Sequence, residues 1–206
     1  MRLLPSGSTA LLVELDDLDE VLALYGALIK APPVGVTDIV PAARTVLVVT
    51  DPARTSLSAV ADAVRATVPD REQPAEAACL EVPVIYDGQD LADAARLVGC
   101  DPQELVRRHS ADEWSVAFCG FSPGFGYLTS RSGTWDVPRR ATPRTKVPAG
   151  AVALAGGFTG VYPRESPGGW QLIGHTELVV FDLARTPAAL LRPGVRVRFV
   201  PHDAPS

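Results

Sequence analysis

Between residues 118 and 175 the chain places eleven of its seventeen glycines and six of its nineteen prolines. Short β-prone runs stand among them at residues 151–154 and 170–173, with another at 178–181. Glycine opens backbone conformations closed to other residues, and proline interrupts helices and central strands. A helical bundle is therefore excluded for this half, and the pattern predicts a β-barrel or sandwich with glycine-proline corners. The terminal run Val195-Val197-Phe199, apolar at every second position with arginines between, reads as an outer strand.

The first part of the chain has a different grammar. Residues 10–15 and 45–50 read as strands, residues 18–29 and 56–67 as amphipathic helices, the first capped by Asp16 or Asp17. Residues 68–76 are polar and marked by two prolines, which is how an interdomain linker reads. We therefore expect an α+β protein of two domains, an α/β sandwich over residues 1–76 and a β-barrel over 77–206. The second domain opens with a strand at 80–86 and short helices at 90–98 and 102–109. Asp101 precedes Pro102 at the start of the latter helix, and a strand at 114–119 follows.

Composition narrows the function classes. At 47% hydrophobic and 21% charged the chain is globular. No apolar run approaches the roughly 18–20 residues of a membrane span, and the start lacks a signal peptide's apolar stretch, so a cytoplasmic protein is expected. The net charge of −5 divides unevenly: residues 1–138 carry ten bases and twenty acids, residues 139–206 nine and four. An acidic chain does not present the broad basic face of a nucleic-acid binder. Its local basic segment, Arg139, Arg140, Arg144 and Lys146, fits a small anionic substrate instead. The three cysteines form no C-x-x-C pair, and the three histidines lack metal-ligand spacing, so neither a disulfide framework nor a metal site is expected.

Gly120-Phe121-Ser122-Pro123-Gly124 matches the G-x-S-x-G nucleophile elbow. That elbow needs the backbone N–H after the serine for its oxyanion hole, and Pro123 has none. Ser122 therefore belongs to a structural or substrate-contacting loop and is not read as a nucleophile. No P-loop sequence occurs. His109, after Arg107-Arg108 at a helix end, is the candidate for proton transfer. From Pro138 to Trp170 arginines give way to glycine pairs, including Gly156-Gly157. Planar guanidinium donors beside backbone that can approach closely suit a small oxyanion, and so does an ordinary basic loop with turn glycines.

Phe121-Ser122-Pro123-Gly124-Phe125, Pro138-Arg139-Arg140-Ala141-Thr142-Pro143-Arg144, Val147-Pro148-Ala149-Gly150 and the run from Tyr162 to Gly174 resemble one known family. It contains the B component of ATP-dependent 5-oxoprolinase, the kinase inhibitor KipI and proteins labelled allophanate hydrolase subunit 1. Gly7 to Glu14, Val40-Pro41-Ala42 with Arg44, and Arg107 to Ala111 resemble it too, so the likeness spans nearly the whole chain. It implies a cyclophilin-like barrel as the second domain. It also implies lactam hydrolysis with ATP, alongside a homologous cyclophilin-like C component and a third, A component. Arg139, Arg140, Arg144, Lys146, Ser122, Gly156, Gly157 and Thr159 are then expected to contact substrate, with His109 moving a proton. The same resemblance leaves open a carboxyltransfer role of the urea carboxylase kind and a non-catalytic role as inhibitor of a histidine kinase. Phe158 departs from the family pattern, which has a polar residue, usually glutamine, at that place.

Overall fold

The computed structural model describes residues 1–70 and 79–203. The chain divides into two compact units, residues 1–75 and 76–206. The segment expected to link them lies outside the described residues from position 71 on.

The first unit contains β1 (Arg2–Ser6), β2 (Ala10–Glu14), α1 (Leu18–Lys30), β3 (Val36–Pro41), β4 (Thr45–Thr50) and α2 (Leu57–Ala66). Its antiparallel sheet has the order β1-β2-β4-β3. Leu11 pairs with Val48 and Val13 with Val46, so alternate residues of both central strands share one face. That face packs on Val21, Leu24 and Leu28 of α1 and on Val60 and Val64 of α2. Asp17 caps α1 by accepting the Glu20 N–H at 2.9 Å, and Ser56 does the same for Ala59 in α2. Strands β1 and β3, which the sequence patterning leaves unmarked, carry Pro5 and Pro41 and occupy the two edges, where a missing N–H breaks no ladder.

The second unit contains β5 (Cys79–Val84), α3 (Leu91–Leu97), α4 (Pro102–Ala111), β6 (Trp114–Cys119), β7 (Gly126–Ser130), β8 (Arg144–Val147) and β9 (Ala151–Ala155). It ends with β10 (Phe158–Val161), β11 (Ser166–Gly168), β12 (Gln171–His175) and β13 (Arg196–Pro201). Seven strands form one sheet in the order β12-β9-β10-β7-β6-β13-β5. Its edges meet: Ile85, just past β5, and His175 of β12 exchange both backbone hydrogen bonds at 2.9 Å. The sheet thus curls into the expected barrel. A Cβ on Gly88 would lie 2.3 Å from Ile173 C, and one on Gly174 would lie 2.4 Å from Ile85 O, so glycine is what allows the seam to close. Small antiparallel β8 and β11 stand apart from this sheet.

Two expectations need correction. The terminal strand is not outermost: β13 pairs antiparallel with β6 and parallel with β5. Its alternation reflects one buried face, which an interior strand shares with an edge strand. Residues 178–181 do not form a strand beyond a single bridge from Phe181 to Ala189. Side chains intercept their backbone, since Thr176 Oγ1 takes the Leu178 N–H and the Arg185 guanidinium takes Val179 O.

Candidate functional site

The basic segment lies where β8 begins, and its arginines converge on a residue fifty positions earlier. Arg140 Nη1 donates to Asp90 Oδ1 at 2.6 Å, and Arg144 Nη2 donates to the same oxygen at 2.7 Å. Asp90 Oδ2 accepts the Leu172 N–H at 2.8 Å. Asp90 precedes α3 but makes no capping bond to it, because its carboxylate is taken by these three donors. It is 2% exposed. Burial alone would raise its pKa; the hydrogen bonds from Arg144 and Leu172 and the charges of Arg144 and Arg140 overcome that and hold it below its ordinary value. Arg140 Nε and Arg144 Nη1 are buried without a partner.

An aromatic wall adjoins the arginines. Tyr162 packs edge-on against Phe121 and Phe125, Trp170 against Phe125 and Tyr127, and Phe158 against Phe118 and Tyr127. Burial pushes the Tyr162 phenol up to about 12; Tyr127 adds to this, while Arg139 and Arg144 pull against it. Tyr127 is likewise raised by burial and lowered by Arg139. Arg139 itself is exposed. Glycine at 168 lets Tyr162 reach in, for a Cβ there would fall 2.3 Å from its Oη.

The 120–125 turn closes the group on one side. Ser122 N–H bonds to Gly120 O at 2.7 Å across Phe121, whose φ is 67°. This two-residue-span bond with positive φ is a γ-turn, a rare and strained form for a residue with a side chain. Phe121 nonetheless stands 57% exposed, while Ser122 is buried and its hydroxyl has no partner. Strain, an exposed ring and a buried hydroxyl without a partner make this turn, with the arginines on Asp90, the candidate binding site.

The structure brings Arg140 and Arg144 together on Asp90 and leaves other expected residues elsewhere. Lys146 pairs with Glu165 at 2.9 Å on the surface. Gly156 forms the β9–β10 hairpin turn at φ 54°, and its N–H is bonded to Val137 O, so it is not free for a ligand. Gly157 completes the same turn. Thr159 is fully buried, donating to Ala153 O at 3.1 Å.

His109 is no proton shuttle to this site. It is wholly buried, with Nε2 2.9 Å from Thr159 Oγ1 and Nδ1 2.8 Å from Tyr86 Oη. Since the Thr159 hydroxyl proton goes to Ala153, the histidine carries its proton on Nε2 and accepts from Tyr86 at Nδ1. Burial drives its pKa down to about 3 against a small opposing pull from Asp112. A neutral histidine among Trp114, Trp135 and Phe199 is a core element.

A separate concavity of about 420 Å³ lies beside the end of α4, lined by Arg107, Arg108, Asp112, Ser132 and Trp135. Its polar groups are engaged: Glu104 binds both arginines, and Asp112 accepts from Ser130, Ser132 and Trp135. None of the expected site residues line it.

Residues 1–191 match the family described as carboxyltransferase domain, subdomain C and D. The chain belongs to that family. It is 52% identical over 130 residues to the B component of 5-oxoprolinase from Escherichia coli O157:H7, a stretch that is 62% of this chain and 60% of that protein. The chain therefore spans about three-fifths of the length of that curated relative. Among solved structures, TTHA0988 is similar with a TM-score of 0.78 and 35% identity, covering 96% of this chain and 41% of that one. Urea carboxylase of Kluyveromyces lactis shares the fold at a TM-score of 0.74 and 19% identity, over 98% of this chain and 23% of its own. No helix among the described residues is long and apolar enough to cross a membrane.

Within this carboxyltransferase-domain chain, sequence reasoning passed over Asp90, Tyr127 and Tyr162. Asp90, before Leu91 and three residues ahead of Asp93, reads as an ordinary helix cap, and nothing in the sequence distinguishes it. Tyr162 carries one usable signal, since it opens the glycine-rich run that holds Gly168.

Proposed function

We propose that the chain is the B component of an ATP-dependent 5-oxoprolinase, working in the cytoplasm with a homologous cyclophilin-like C component and a third, A component. The observation that carries this reading is the convergence of Arg140 and Arg144 on buried Asp90, with donors left over, in a chain 52% identical over 130 residues to a protein of that name. Opening the 5-oxoproline ring adds water across a resonance-stabilised amide, and ATP supplies the activation that step needs.

The chain's own residues bind and orient. Arg140 and Arg144 hold the substrate's anionic group, as fixed donors in a site of low dielectric do best, and exposed Arg139 adds a solvent-screened charge. Tyr162, kept protonated by burial, offers a hydrogen bond to a neutral oxygen of the ring. Ser122 supplies a second hydroxyl, and the aromatic wall excludes water from the ring's apolar edge. The residues do not fit a nucleoside triphosphate: Lys146 is bound to Glu165 and the Gly156 N–H to Val137, so no step through ATP is assigned to this chain.

Co-expression with the partner components and an assay of 5-oxoproline-dependent ATP hydrolysis test the reading. The assembled complex is expected to turn over and the isolated chain to be inert. Turnover by the chain alone, or none by the complex, would refute it.

A further inference from the structure

The two oxygens of Asp90 serve different ends. Oδ2 accepts the Leu172 N–H at 2.8 Å while Asp90 N–H returns a bond to Leu172 O at 2.9 Å, which locks the carboxylate to β12 at the barrel seam. Oδ1 receives both Arg140 Nη1 and Arg144 Nη2. Two guanidinium groups are thus hinged on one fixed oxygen, and Arg144 Nη2 gains a further contact to Gln89 Oε1 at 3.3 Å. Each group keeps one buried nitrogen without a partner: Nε on Arg140, which carries one N–H, and Nη1 on Arg144, which carries two. A buried, unpaired donor costs about 1–3 kcal/mol, and a site with two of them gains that back only when an acceptor arrives.

We propose that Asp90 is the positioning residue of this site, and that the group it prepares the arginines to receive is a carboxylate, not a phosphoryl group. The proposal rests on the anion-site reading above and names its ligand chemistry. Two guanidinium charges and one carboxylate leave a single positive charge, which a monoanion neutralises. Two unpartnered nitrogens, on two groups held by the same oxygen, match in number the two oxygens of a planar carboxylate. A phosphoryl group brings nearly two charges, more than the single positive charge left on the buried pair neutralises. Arg139 is exposed, and solvent and salt screen its contribution.

The test follows binding of acetate and of inorganic phosphate by the Arg Nε–H signals in ¹H–¹⁵N spectra of the full chain, alone and with its partners. In the wild type acetate is expected to shift the Arg140 Nε–H saturably and to bind about tenfold tighter than phosphate, or more. In Asp90→Asn acetate weakens by about tenfold or more, while phosphate, meeting one more positive charge, binds more tightly. This opposite movement is something a merely structural residue does not produce. Both anions strengthening makes Asp90 only a charge compensator, neither changing makes it only an anchor of β12, and phosphate preferred by the wild type refutes the carboxylate assignment. Each of these overturns the proposal. Because Asp90 also holds Leu172, a second variant is included: Arg140→Gln leaves the bonds from Asp90 to Arg144 and Leu172 in place. Its acetate affinity is expected to fall about tenfold, and wild-type affinity there overturns the proposal even if Asp90→Asn does not fold. No readout depends on 5-oxoproline turnover, so acetate binding can succeed or fail independently of the assigned reaction.

Discussion

His109 and Thr159, fifty residues apart in the chain, meet at 2.9 Å inside the barrel. The contact places the neutral ring's proton on Nε2, and the burial that keeps the ring neutral makes stability depend on pH in a calculable direction. In the folded chain His109 takes up its proton only near pH 3, while unfolded histidine does so near its ordinary 6.5. Between those values the unfolded state binds more protons, so stability falls as pH drops through the window, by at most about 1.4 kcal/mol per pH unit. Urea unfolding from pH 4 to 7.5 should show this slope on top of the carboxylate contribution. In His109→Gln that part of the slope should vanish; an unchanged pH dependence would show that His109 is already charged in the fold.

Arg144 and Lys146 lie two residues apart on β8, yet their substitution should separate them. Arg144→Ala removes one arm of the pair on Asp90, and losing a charged hydrogen bond of about 1.5–3 kcal/mol should lower kcat/KM of the assembled complex roughly 10- to 150-fold. Arg144→Lys should recover only part of this, since lysine keeps the charge and loses the planar fork. Lys146→Ala, which loses only an exposed pair to Glu165, and Arg192→Ala, on the surface, should leave activity and Tm near wild type. A Lys146→Ala loss equal to that of Arg144→Ala would put the lysine in the site after all.

What the sequence disclosed follows from the range of the forces involved. The helix caps at Asp17 and Asp101 act over three residues and are legible in a short window. The barrel announced itself through glycines and prolines that have few other uses, and the family resemblance came from loops whose residues are unusual in combination. Asp90, Arg140 and Arg144 are joined across about fifty positions, and no local pattern marks a carboxylate for so distant a partner. His109 misled for a related reason: its neighbours Arg107 and Arg108 are local and charged, but both are bound to Glu104, and the histidine's environment comes from Tyr86, Trp114, Thr159 and Phe199.

The seam of the barrel offers a test read from stability alone. A Cβ on Gly174 would stand 2.4 Å from Ile85 O and 3.0 Å from Val84 Cγ1, and backbone cannot move aside cheaply. Gly174→Ala should therefore destabilise the chain by about 2 kcal/mol or more in urea unfolding. Gly157→Ala is the control, because its nearest neighbour, Trp135 O, would be at an ordinary 3.5 Å; it should change stability by less than about 1 kcal/mol. Equal tolerance of both substitutions would mean that the two edges do not meet as described.

The strained turn at Phe121 yields a prediction in which stability and function move apart. A non-glycine residue held at positive φ costs about 1–3 kcal/mol, and Phe121 recovers little of this by burial, since more than half of its surface is exposed. Phe121→Gly relieves the strain at an entropic cost of about 0.5–1 kcal/mol, so Tm should be unchanged or higher. The ring that stands over Phe125 and Tyr162 is lost, however, and kcat/KM of the complex should fall by about tenfold or more if that ring covers the bound substrate. Ser122→Ala in the same turn removes a buried hydroxyl that has no partner, and should stabilise the free chain by about 1 kcal/mol while weakening substrate binding. Its activity should nevertheless persist, because Pro123 leaves no N–H for an acyl-enzyme's oxyanion, and a serine-directed phosphonate should not label the protein. Calorimetry of both variants with steady-state kinetics of the reconstituted complex decides the matter. If Phe121→Gly is less stable than the wild type and fully active, the strain at this turn serves packing and the binding site lies elsewhere.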